Sequence, residues 1–175
     1  MTKKILFFML ALIAIPLLYK GLKSAYSKYN RIKAEGYLDQ TLPEIIGTDI
    51  RGNRYNLKSY KGKNVIIVFW ASWCGSCLRE IPNLKTFYAS LEKDSDIVFL
   101  SSTMDDNVEL SLKTIEKLKI NYPVMIDKEA PGKNSSFNKH FQITHLPSIW
   151  VIDKTGTVKG ENLVHIEEAL KIIKP

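Results

Sequence analysis

Asn64 to Pro82, reading N-V-I-I-V-F-W-A-S-W-C-G-S-C-L-R-E-I-P, is the stretch whose reading decides the fold. Val65 to Trp70 is an unbroken apolar run, β-branched at four of its six positions. Such a run reads as a strand buried on both faces of a sheet. From Cys77 onward, Leu78, Ile81, Leu84, Phe87, Tyr88 and Leu91 recur with helical period, so the two cysteines stand where a buried strand turns into a helix. A thiol at a helix N-terminus meets the positive end of the macrodipole and free N–H groups, which favour its thiolate. Cys77 lies one helical turn further on and can reach Cys74.

Two structural readings compete with redox chemistry. A zinc site needs about four protein ligands, and Cys74 and Cys77 are the only cysteines of the chain. A staple closing so short a loop would constrain the unfolded chain little. Redox activity is therefore the expected role of the pair, with no metal and no cofactor.

A chain of 175 residues, 45% hydrophobic and 10% aromatic, can bury a core in one domain. Its net charge of +7 is uneven: residues 1–40 hold seven Lys and Arg against two acids, residues 41–175 eighteen against sixteen. The folded part is close to neutral, which gives nucleic acid binding no electrostatic support.

Behind Lys3 and Lys4, Ile5 to Tyr19 runs fifteen residues without a charge. That length lies between a signal-peptide core and a spanning helix of roughly 20 residues. Lys20 and Lys23 could snorkel and extend the span to Leu22, with Tyr26 and Tyr29 at the interface. No small-x-small cleavage site follows, so residues 1–22 are expected to be an uncleaved signal anchor and 23–40 a polar tether. The positive-inside tendency, with Lys20, Lys23, Lys28, Arg31 and Lys33 after the span, argues against an outward-facing domain.

The domain proper is expected over 41–175. Residues 42–57 read as two short strands around a Gly52-Asn53 turn. Asp96–Ser101 reads as a second buried strand, Asn107–Lys119 as a crossover helix and Tyr122–Ile126 as a short edge strand containing Pro123. Ser135–Phe141 reads as a serine-capped helix, Ser148–Ile152 and Thr157–Lys159 as a hairpin, and Asn162–Ile173 as a final amphipathic helix. The pattern is α/β.

Trp73-Cys74-Gly75-Ser76-Cys77 matches the W-C-x-x-C signature of the thioredoxin fold, and Pro82 matches its helix kink. Ile143-Thr144-His145-Leu146-Pro147-Ser148, with the I-W-V-I-D-K-T-G that follows, resembles its cis-proline loop and hairpin. Over residues 41–175 the chain resembles the membrane-anchored extracytoplasmic thiol–disulfide oxidoreductases of the TlpA/ResA/DsbE type. The resemblance implies a three-layer thioredoxin-like fold with an N-terminal β-hairpin, an insertion over 103–141 and a leading hydrophobic helix. It also implies a single-pass protein of the bacterial cytoplasmic membrane with its domain on the periplasmic or extracytoplasmic side, overriding the charge argument.

By the same resemblance Cys74, accessible at the helix start, is the nucleophile and Cys77 the resolving thiol, cycling through a Cys74–Cys77 disulfide. Glu80, in the context Glu80-Ile81-Pro82, would take the proton of Cys77; a solvated glutamate in the first helical turns is the alternative. Pro147 in cis form and the Leu146 backbone would hold an extended substrate segment, with Trp73 on the docking surface. His145 would stabilise the Cys74 thiolate or stand as an exposed loop histidine. The implied partners are protein substrates with cysteine pairs, apocytochrome c among them, and a membrane thiol-transporting electron donor; the tethered domain is expected as a monomer. Reduction of substrate disulfides is the first reading. An oxidase or isomerase, and a non-enzymatic Cu(I) carrier using Cys74, Cys77 and His145, are the alternatives.

Overall fold

The computed structural model describes residues 14–24, 36–91 and 96–173. The chain divides into one unit up to Gly36 and a second from Tyr37 to Pro175. In the first, residues 14–24 are helical, with Ile15, Leu17, Leu18, Tyr19 and Leu22 exposed. No helix among the described residues is long and apolar enough to cross a membrane. Most of the expected anchor and of the expected tether, residues 1–13 and 25–35, lies outside the described residues.

In the second unit the order is β1 (Ile46–Thr48), β2 (Arg54–Asn56), β3 (Asn64–Trp70), α1 (Gly75–Ser90), β4 (Ile97–Thr103), α2 (Val108–Lys117), β5 (Val124–Met125), β6 (Ser148–Ile152), β7 (Val158–Leu163) and α3 (Ile166–Ile173). Five strands form one mixed sheet in the order β5-β4-β3-β6-β7. β3 is its centre, parallel to β4 and antiparallel to β6, and every residue of it is buried. Because strand side chains alternate between faces, its two residue sets serve two cores. Ile66, Val68 and Trp70 pack with Ile81 and Leu84 of α1, Ile115 of α2 and Ile166 and Ala169 of α3. Val65, Ile67 and Phe69 pack with Ile45, Leu57, Phe137, Phe141 and Trp150. Phe141 is the hub there, its ring 4.8 Å from Phe69 and 5.0 Å from Trp150.

The second face departs from expectation, since Ser135–Phe141 is not an α-helix. Two 3-10 turns, Gly132–Asn134 and Asn138–His140, stand there instead. The Ser135 hydroxyl does accept the Asn138 N–H as a cap would, at 2.8 Å. The Asn138 amide, however, donates to the carbonyls of Thr103 and Gly132, both at 2.8 Å. An asparagine bonded to distant backbone competes with helix propagation. The C-terminal helix likewise begins at Ile166 rather than Asn162. β7 runs on to Leu163, and Asn162 itself takes φ 52°.

Both edges of the sheet are covered. On one, the Ile50 N–H donates to Val124 O and the Ile126 N–H to Thr48 O, so the β1–β2 hairpin closes β5. On the other, Asp39 and Gln40 exchange backbone hydrogen bonds with Val158. Covered edges cannot template pairing with another chain.

Asp49 holds the hairpin turn. Its carboxylate accepts from the backbone N–H of Arg51 and Asn53 at 2.9 and 2.8 Å, from Asn53 Nδ2 at 3.0 Å and from the Tyr55 hydroxyl at 3.2 Å. Burial alone would raise its pKa, and these donors outweigh burial and hold it below the usual carboxylate range. The Tyr55 phenol is pushed up to about 12 by burial first and by the Asp49 charge second. A phenol that resists ionisation only when folded favours the native state below the unfolded pKa of about 10. Stability is therefore expected to fall as pH rises from about 10 towards 12. Tyr55→Phe should flatten that loss in urea titrations across the window, leaving the part owed to Tyr60 and Tyr122, whose phenols burial also raises.

Candidate active site

β3 delivers the chain to a tight turn at the C-terminal end of the sheet, where the Cys74 N–H bonds back to Ala71 O at 3.1 Å. Cys74 is the N-cap of α1, in extended backbone conformation. It is joined to Cys77 in a disulfide, and its Sγ accepts the Cys77 N–H at 3.2 Å, with Ser76 Oγ 3.4 Å away. The sulfur thus sits where a capping side chain accepts a free helix N–H. On reduction a Cys74 thiolate would inherit that donor and the positive helix end. Cys77, one turn in, is 2% exposed. Cys74, expected to be open, is only 6% exposed in the disulfide, because its sulfur is bonded inward to Cys77. Trp73 by contrast is 70% exposed.

Cys74 lines one side of a cleft of about 660 Å³. Trp73, Gly75 and Ser76 continue that side, Ile143, Thr144, His145 and Leu146 form the other, and Met104, Asp106 and Lys133 complete it. The Leu146–Pro147 peptide is cis, and Pro147 is buried. Asn162 on β7 ties this loop down. Its Oδ1 accepts from the Thr144 N–H and the Ser148 hydroxyl, both at 3.1 Å, and its Nδ2 donates to Gln142 O at 2.9 Å. The left-handed backbone of Asn162 aims the side chain there, a conformation that asparagine tolerates better than most residues.

Glu80 follows one turn after Cys77 on α1. Its Oε2 accepts from Asn83 Nδ2 at 3.2 Å, while its Oε1 is buried with no hydrogen-bond partner among the described residues. His145 is exposed, with Nδ1 3.0 Å from Thr144 Oγ1. His140 and His145 have the H-x₄-H spacing of half a zinc site, yet no group of three or more His, Cys, Asp or Glu among the described residues could hold a metal ion. Cys74 and His145 line the same cleft, while Cys77 lies behind it, joined to Cys74 in the disulfide.

Three polar residues that matter here escaped the sequence reading. Asn162 falls in the expected C-terminal helix, Ser72 within the strand-to-helix stretch 64–82, and Asp105 just past the expected strand Asp96–Ser101. Asp105 is 2% exposed and bonds to Ser72, two residues before Cys74. The signal available was the acid's place at the end of a buried strand, where a loop carboxylate meets the neighbouring strand's turn.

The family model described as Redoxin matches residues 38–172. The chain is similar to thiol-disulfide oxidoreductase ResA of Bacillus thuringiensis subsp. konkukian (strain 97-27), 31% identical over 157 residues and covering 86% of each chain. It is also similar to ResA of Bacillus cereus (strain ATCC 10987 / NRS 248), 31% identical over 165 residues, 90% of this chain and 87% of that one. Among solved structures, the thioredoxin domain of a thiol-disulfide oxidoreductase from Bacteroides vulgatus superposes with a TM-score of 0.61 at 26% identity, over 77% of this chain and 94% of that one.

Asn162→Ala is expected to cost about 2 kcal/mol in urea unfolding, since it removes three hydrogen bonds that tie down the loop and forces a left-handed alanine. Asn162→Gly relieves only the backbone and should recover only part; full recovery would show that the side-chain bonds contribute nothing.

Proposed function

We propose, since the chain belongs to the Redoxin family and within it to the TlpA/ResA/DsbE type of thiol–disulfide oxidoreductase, that it reduces disulfides of proteins outside the cytoplasmic membrane. One observation supports this most: Cys74 Sγ caps α1, accepts the Cys77 N–H and lines a cleft opposite the cis Leu146–Pro147 loop. There a thiolate is stabilised beside a surface that can take an extended peptide.

In the proposed cycle the Cys74 thiolate attacks one sulfur of a substrate disulfide. A Cys74–substrate bond forms, the substrate S–S bond breaks, and the departing thiolate takes a proton. Cys77 then gives its proton to the buried Oε1 of Glu80 and attacks Cys74 Sγ, releasing the second substrate thiolate, which is protonated in turn. Two electrons and two protons have passed to the substrate, and the Cys74–Cys77 disulfide waits for an external dithiol to reduce it. The buried Oε1 of Glu80 has no hydrogen-bond partner among the described residues, which leaves it open to accept a proton one helical turn from Cys77. His145 and Trp73 border the entry and would contact the bound segment.

The apolar run Ile5–Tyr19 and the lysines around it support an anchor over 1–22, with residues 23–40 as the tether. A membrane thiol transporter would then be the electron donor. Apocytochrome c, whose haem-attachment cysteines must be reduced, is the proposed substrate.

Cys74→Ser should abolish disulfide reduction, and Cys77→Ser should accumulate mixed disulfides with partners, seen as thiol-sensitive bands in non-reducing gels. A dithiol as oxidising as about −120 mV would overturn the reductase direction. Glu80→Gln should slow release of the mixed disulfide about tenfold or more while leaving the first attack unchanged. Equal slowing of both steps in stopped-flow thiol exchange would remove Glu80 from the proton path.

A further inference from the structure

Beneath the redox turn lies a buried acid that the cycle above does not use. Asp105 Oδ1 accepts the Ser72 hydroxyl at 2.8 Å, and both carboxylate oxygens lie 3.0 Å from the Ser72 backbone nitrogen. Oδ2 accepts from Thr103 Oγ1 at 2.8 Å and Ser111 Oγ at 2.7 Å, while those two hydroxyls stand 3.0 Å apart. Asp105, Ser111 and Thr103 are 2%, 0% and 4% exposed. Only acceptor roles fall to the carboxylate, as suits its ionised form. No Lys, Arg or His forms an ion pair with it among the described residues. Charge is thus balanced by dipoles alone, and half of them belong to the turn that presents Cys74. The adjoining backbone closes the same unit, since the Met104 N–H donates to Trp70 O at 2.7 Å.

We propose that Asp105 is the positioning residue of the redox turn: by gripping Ser72 as an anion, it fixes Cys74 at the helix mouth and biases the Cys74–Cys77 pair towards the disulfide. The proposal rests on the dithiol reading above. A fixed negative charge in a region of low polarisability opposes a second one nearby, so it disfavours the Cys74 thiolate and the reduced state that carries it. The protein is in consequence a stronger electron donor than the helix N-terminus alone would make it.

Asp105→Asn separates this role from fold maintenance. The asparagine oxygen can still accept from Ser72, and its amide can donate to the hydroxyls of Thr103 and Ser111, which rotate to accept. Shape and bonding persist while the charge goes. With the full chain equilibrated against glutathione, Asp105→Asn is expected to raise the equilibrium constant for reduction about threefold or more. The pH profile of Cys74 alkylation should move to lower pH. Asp105→Ser, a second neutral variant, which gives up the grip on Ser72 as well as the charge, should move both in the same direction. In the wild type, the Asp105 carboxyl carbon followed by NMR should shift across the pH range in which Cys74 becomes alkylatable, in the reduced protein and not in the oxidised one. That measurement stands whether or not the variants fold. If wild-type protein exchanges with glutathione but folded variants match it, or the carboxyl resonance ignores the thiol, Asp105 has no such role. If wild-type protein does not exchange at all, the dithiol reading itself falls, and this proposal with it.

Discussion

Everything in this molecule depends on one constraint: a sulfur anion must be stable at the edge of a core that excludes water. Cys74 meets it by standing at the N-cap of α1, where the Cys77 N–H points at its sulfur. No acidic residue occupies the first turn of that helix, so no side-chain charge there competes for the positive end. The helix can begin at that spot because β3 is buried on both faces and pinned between two partner strands. A strand so held ends at a fixed height, and the turn after it inherits that rigidity.

The same need shapes the far wall of the cleft. The loop that forms this wall is fastened by a side chain. Asn162 does this from β7, bridging Gln142, Thr144 and Ser148, while Leu146 packs against both cores. The two sheet edges, which would otherwise offer their own unpaired groups to an extended chain, are occupied by the hairpin and by residues 39–40.

Much of this was legible in the chain. Val65–Trp70 reads as a buried strand and the spacing after the cysteines as a helix, and both stand so in the fold. Pro123 marked an edge strand, and the likeness of Leu146-Pro147-Ser148 to a cis-proline loop agreed with the cis peptide found there. The misreadings share one cause. At Ser135–Phe141 and at Asn162 the local pattern favoured helix, yet asparagine side chains reached backbone groups distant in sequence, and those bonds decided the conformation. Periodicity reports where apolar side chains recur and is silent about where a polar one finds its partner. For the same reason Asp105 is marked only by its place just past a buried strand, since a buried acid and a solvated one are written alike.

Polar anchors under a redox turn have a physical rationale that apolar packing would lack. Hydrophobic contacts are non-directional, so a turn resting on leucines could slide by a fraction of an ångström between its oxidised and reduced forms at little cost. Hydrogen bonds are directional and, when buried, expensive to leave unmade. Ser72 is held by bonds to its backbone nitrogen and to its hydroxyl, and displacing it would strand donors and a carboxylate together. Breaking and remaking the Cys74–Cys77 bond separates and rejoins the two sulfurs, and a stiff turn keeps Cys74 in place through both states. A charged acceptor with four donors converging on it is the stiffer support, and it acts electrostatically on the reaction that it steadies.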